Sequence, residues 1–155
     1  MTGRVYSVEF NAVSVSAVQD LFLMQSTSGM AFKLLEVVLG QVTLTTVEEL
    51  RLTFKRFSGA YTAGTGGTAF TPAKHNFGDA AATATCFTNA TTQTSGGSSV
   101  ILRADTFNEV NGYQYLAIPD REIIIAPSQA LVVSLDLAPA GARTMSGTLT
   151  FEELY

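Results

Sequence analysis

The chain has 155 residues, a net charge of −4 and only 14% charged side chains, with a single Cys and a single His. That length supports one domain, residues 1–155, with a self-sufficient core. One Cys excludes an internal disulfide, one Cys with one His excludes a thiolate–imidazole metal site, and nine scattered basic residues form no stripe against nucleic-acid phosphates.

Apolar residues return at every second position in short bursts, and each burst stops at Gly, Asn, Pro or Ser. A period of two places alternate side chains on opposite sheet faces, so the chain reads as strands almost throughout. The first strand covers residues 5–10 and continues, after a bend near Asn11, through Val13 and Val15. A second covers residues 21–25 and a third residues 31–41. In the third, Phe32, Leu34 and Val38 share a face with Glu36, whereas Leu35, Val37 and Leu39 share the other with Lys33. Two apolar faces predict a central strand covered on both sides, by core or by a second subunit. Thr46 to Glu49 has the spacing of a helix capping box, but alternation resumes at Leu50, which favours a charged loop. Leu50, Leu52 and Phe54 then point one way, with Arg51, Thr53 and Lys55 opposite.

Two polar tracts interrupt the pattern, SGAYTAGTGGT at residues 58–68 and TNATTQTSGGSS at 88–99. The first is rich in Gly, but no helix and no Lys–Ser/Thr pair follows it, so it lacks the parts of a phosphate loop. Both tracts are expected to be long mobile loops that contact a partner, with Ser58, Tyr61, Thr65, Asn89 and Thr92 as contact residues. His75, between Lys74 and Asn76, is expected in an exposed loop as a further contact or a pH-sensitive group. Cys86, beside Phe87, reads as a small buried hydrophobe. Further strands follow near residues 100–104, 113–118, 123–125, 131–137 and 145–154, with Phe107 closing one end of the core.

Strands of this number, about eight to ten with no long helix, bury one face each only as a sandwich or a closed barrel. Long connections favour a jelly-roll-like antiparallel β-sandwich over an up-and-down barrel. No stretch assembles a catalytic set. His75 is the only imidazole, no Gly-x-Ser-x-Gly turn occurs, and the adjacent pairs Glu48/Glu49 and Glu152/Glu153 point to opposite faces of a strand. The expectation is a structural or binding module, not an enzyme, with no catalytic residue, cofactor or metal.

The longest apolar stretch, residues 32–39, is broken by Lys33 and Glu36 and falls far short of the ~20 residues of a membrane span. The N-terminal residues lack the pattern of a secretion signal, which fits synthesis in a reducing cytoplasm. Weak surface charge predisposes the chain to associate, as a dimer or trimer.

An ordered set of segments carries a family likeness: RVYSVEFNAVSVSAVQDLF at residues 4–22, LRLTFKR at 50–56, FGDAAA at 77–82, Phe107–Asn108, YQYLAIP at 113–119 and SGTLTFEEL at 146–154. The chain resembles small proteins encoded near the head genes of tailed bacteriophages, whose members resemble jelly-roll virion proteins. The resemblance implies a capsid decoration (cement) or accessory head protein on the capsid exterior, made in the host cytoplasm. Its implied partner is the major capsid protein, and a homotrimer is the favoured oligomer. The alternative is a head-fibre or receptor- or carbohydrate-binding jelly-roll module, for which Tyr61 is the exposed-aromatic candidate.

Overall fold

The computed structural model describes residues 3–42 and 47–154. Thr46, which opens the capping-box pattern, lies outside them. Among the described residues there are twelve strands and no helix. One antiparallel sheet holds β1 (Arg4–Val15), β3 (Ala31–Gln41), β6 (Ala73–Lys74), β9 (Tyr113–Leu116), β10 (Ile124–Ile125) and β12 (Arg143–Leu154). The other holds β2 (Gln19–Gln25), β4 (Glu49–Thr62), β5 (Thr68–Phe70), β7 (Thr85–Ala90), β8 (Ser95–Asn108) and β11 (Ala130–Leu135).

The first sheet runs β6-β1-β12-β3-β10, with β9 also on β3, and the second runs β5-β7-β2-β11-β4-β8. The chain crosses between sheets at eight of its eleven connections, so early strands interleave with late ones: β12 lies between β1 and β3, and β11 between β2 and β4. This is consistent with the jelly-roll-like sandwich expected from the sequence, where alternation gave the sandwich or barrel and long connections the choice between them. The additional strands β5, β6 and β7 form an insert between β4 and β8. Its β6 extends the first sheet beside β1 and its β7 the second beside β2, so it covers the same side of the sandwich twice.

The core lies between the sheets. Tyr6, Val8, Phe22, Leu34, Leu52, Phe54, Val133, Leu149 and Phe151 are wholly buried. Each such side chain contributes about 1.5–3 kcal/mol by leaving water. The Phe151 ring stacks on Tyr6 at 5.4 Å and meets the edge of Phe32 at 5.7 Å, which locks β12 between β1 and β3. Leu50, Leu52 and Phe54 face this core as the alternation required, and Phe107 packs against Tyr113 at 5.4 Å. Gly147 is buried between β1 and β3. A Cβ there would lie 2.6 Å from Leu39 and 2.8 Å from the Phe10 ring, so the neighbouring side chains occupy the space a larger residue needs.

Bulges set the phase of the pattern, and two of them lie in the first sheet. In β1 the register slips between Phe10 and Val13, and Ala12 takes a positive φ of 51°, which is the bend expected near Asn11. In β3 the register slips opposite the Thr150/Phe151 step, leaving Leu35 as the extra residue. Phe32 and Leu34 before it, and Val37 and Leu39 after it, therefore all reach the core, while Val38 is exposed. The double apolar face read for this strand is thus one face whose phase shifts. The strands covered on both sides are β2 and β11, which are buried almost end to end.

Candidate interaction surface

The outer face of the second sheet is covered by the polar tracts themselves. Composition predicts loops for residues 58–68 and 88–99, but they are largely strand and pair with each other. Ser58 stands opposite Ser98, Tyr61 opposite Gly96, Thr62 opposite Ser95, and Thr68 opposite Thr88. Thr65 and Thr92 close the remaining gap with reciprocal backbone bonds of 3.1 and 3.0 Å. A Gly-, Ser- and Thr-rich tract reads as loop when taken alone. Here its backbone polar groups are satisfied by a second tract of the same kind, about 30 residues away.

This paired segment folds back over β11 and β2. Phe57, Tyr61 and Ala63 join Leu23, Phe87, Ala130 and Val132 in a second, smaller apolar cluster. Gln25 Nε2 donates to the Tyr61 hydroxyl at 3.1 Å, across two strands. A Cβ on Gly64 would meet the Thr92 carbonyl at 2.5 Å, so only Gly permits this close crossing.

Beneath the segment lies a partly buried polar layer. Asp136 accepts from Thr53 Oγ1 at 2.8 Å and from Lys55 Nζ at 2.6 Å. Burial pushes the Asp136 carboxyl up, but the Lys55 ammonium and the Thr53 hydroxyl outweigh it and hold it below the ordinary range. Asp20 Oδ2 accepts from the Thr94 backbone N–H at 2.7 Å, while its Oδ1 is buried with no hydrogen-bond partner. Burial therefore wins and raises the Asp20 carboxyl above its ordinary value. Asn89, at a positive φ of 56°, accepts from Gln19 Nε2 at 3.1 Å.

Of the residues expected to meet a partner, Thr65 and Thr92 are exposed and Ser58 and Tyr61 half-buried, all within the paired segment. Asn89 is buried beside it. His75 is exposed but stands apart, next to β1, where its backbone N–H donates to the Val5 carbonyl at 3.0 Å. Cys86 is buried, and desolvation with the nearby Glu153 carboxylate pushes its thiol up to about 12. Glu153 is itself buried and holds the insert in place. Its Oε1 accepts from the backbone N–H groups of Thr83 and Ala84, at 2.6 and 2.9 Å, and from the Thr83 hydroxyl at 2.9 Å.

One surface residue lies outside the contact set expected from sequence. Phe77 is 97% exposed on the turn after β6. Asn76 holds that turn: its Oδ1 accepts from the Gly78 N–H at 3.1 Å, and its carbonyl accepts from the Asp79 N–H at 3.1 Å. The signal in the sequence is a Phe placed between turn formers, Asn76 and Gly78, outside any alternating run. The insert also leaves a groove of about 250 Å³ against the β1 bulge, lined by Glu9, Phe10, Val13, Phe70, Thr88 and Asn89.

Among the described residues no three His, Cys, Asp or Glu side chains cluster to hold a metal ion, and no helix is long and apolar enough to cross a membrane. In comparisons with known proteins, no family model, no curated protein and no solved structure matches the chain.

Proposed function

We propose that the chain is a structural virion module, a capsid decoration (cement) protein that binds the major capsid protein on the exterior of a phage head. It acts by contact, not by catalysis, and uses no cofactor. The observation that carries this reading is the jelly-roll-like sandwich, combined with the ordered sequence likeness to small phage head proteins. The tied-down insert suits that role, because a surface that must stay attached to a pressurised shell gains from contacts whose ordering cost is met on folding. Phe77 supplies an aromatic anchor held on a short, internally bonded turn, the type of residue on which binding energy concentrates. Self-association belongs to the reading, and the trimer is the state that the resemblance implies.

The test is to add the purified chain to heads that lack their decoration protein and to measure sedimentation and thermal opening. Saturable co-sedimentation and a higher opening temperature are expected, and Phe77→Ala weakens binding by about tenfold or more. No association with heads, together with selective binding on a glycan array, would replace this reading with the receptor-binding one. Tyr61 gives that alternative little support, because its hydroxyl is engaged by Gln25 and its ring packs 6.1 Å from Phe57.

A further inference from the structure

The two sides of the sandwich are finished differently. On the side of β1 and β2 the insert covers both sheets, and the outermost strands are two and three residues long. On the opposite side the second sheet ends at β8, fourteen residues long and paired only with β4. Val100 to Leu102, in its middle, carry no charge and no Pro, two of the devices that keep a sheet edge from pairing, although β8 is bulged at Leu102. Exposed apolar residues gather on this side: Val100, Ile101 and Leu102 on β8, and Leu116, Ile118 and Ile124 on or beside β9 and β10. Ile101 is 55% and Leu116 63% exposed.

A row of unpaired backbone N–H and C=O groups is complementary to another extended strand. The other outermost strands are two to four residues long, and β1, whose edge is open beyond Ser7, is broken by the bulge at Ala12, so the matching edge of comparable length is β8 of a second copy. The charges fit as well. Arg103 and Asp105 lie two apart on the core-facing side of β8, joined by a 2.5 Å ion pair, with Arg103 also 5.4 Å over the Tyr115 ring. In an antiparallel pairing about a two-fold axis at Ala104, Arg103 stands opposite Asp105 of the second copy, and the reverse. Two arginines and two carboxylates then alternate across the axis, and the apolar residues of both copies flank them.

We propose that two copies of this chain pair β8 to β8, antiparallel about Ala104, so that the second sheet runs continuously through a two-fold dimer. This dimer takes the place of the trimer implied by the family likeness. It does not depend on the capsid reading, and its test uses the isolated full-length chain.

The experiment is light scattering with sedimentation equilibrium across the micromolar range. The wild-type chain is expected as a dimer. Arg103→Asp sets Asp against Asp and weakens the dimer at least about tenfold, as Asp105→Arg does by setting Arg against Arg. The double swap, Arg103→Asp with Asp105→Arg, restores alternation and returns affinity to within about threefold of wild type. Ile101→Lys, at an exposed position that leaves the fold intact by circular dichroism, gives a monomer. A wild-type monomer at all concentrations, a trimer, a dimer unmoved by Ile101→Lys, or a folded double swap without recovery would each overturn the proposal.

Discussion

Replacing Arg143 by Met tests how the end of the sandwich is held. Arg143 is 4% exposed and Glu109 2%. Arg143 Nε donates to both carboxylate oxygens of Glu109, at 3.0 and 2.9 Å, Nη2 donates to Glu48 at 2.9 Å, and Nη1 donates to the Gly141 carbonyl at 3.1 Å. One guanidinium thus ties the start of β12 to the turn after β8 and to the entry of β4. Removing it strands the Glu109 carboxylate in the interior, which costs about 3–5 kcal/mol. At about 3 °C per kcal/mol for a chain of this size, the melting temperature falls by about 9–15 °C. Adding Glu109→Leu removes the stranded charge and recovers most of the loss, because an apolar pair of similar volume is near neutral in such a site. Urea unfolding of both single variants and the double variant, at unchanged slope, gives a coupling of about 2 kcal/mol or more. A loss below about 1 kcal/mol for Arg143→Met, or no recovery in the double variant, would refute the argument that burial makes this pair interdependent.

The polar layer under the paired tracts makes two predictions of opposite sign. The Asp20 carboxyl is raised, so its ionised form costs stability at neutral pH, and the cost fades as pH falls through its folded value toward 3.8. Asp20→Asn therefore raises the melting temperature at pH 7 by ~2–4 °C and has no such benefit below that value, as thermal melts at several pH values check. The Asp136 carboxyl is lowered, so its contribution is present above 3.8 and lost as pH falls through its folded value. Asp136→Asn destabilises by about 1 kcal/mol at neutral pH and loses that penalty in acid. The Cys86 thiol, pushed up to about 12, stays unmodified by a thiol-selective reagent at pH 8 until denaturant is added. Gly147→Ala forces a methyl against Leu39 and Phe10 and costs about 1–3 kcal/mol by urea unfolding.

The strands are legible because burial on one sheet face writes a period of two into the sequence. That is why Leu50, Leu52 and Phe54, or Leu149 and Phe151, can be assigned inward without knowing any pairing. The same signal misleads at Leu35, since a bulge reverses the facing of everything beyond it and leaves no composition of its own. The polar tracts mislead for a related reason: Gly, Ser and Thr report that a segment can turn, not that another segment is there to pair with it. Of the six residues expected at a partner surface, the tertiary structure places Ser58, Tyr61, Thr65 and Thr92 in one paired segment, buries Asn89 next to it, and sets His75 apart.

By itself the sequence determined the class of the fold, because periodicity is a local property that each strand carries alone. Only the tertiary structure decided which strands are neighbours, that Arg143 meets Glu109, that Phe77 stands in solvent and that β8 is left as an open edge. Those outcomes depend on contacts between residues far apart in the chain, and a side chain's burial or freedom exists only once its distant neighbours have arrived.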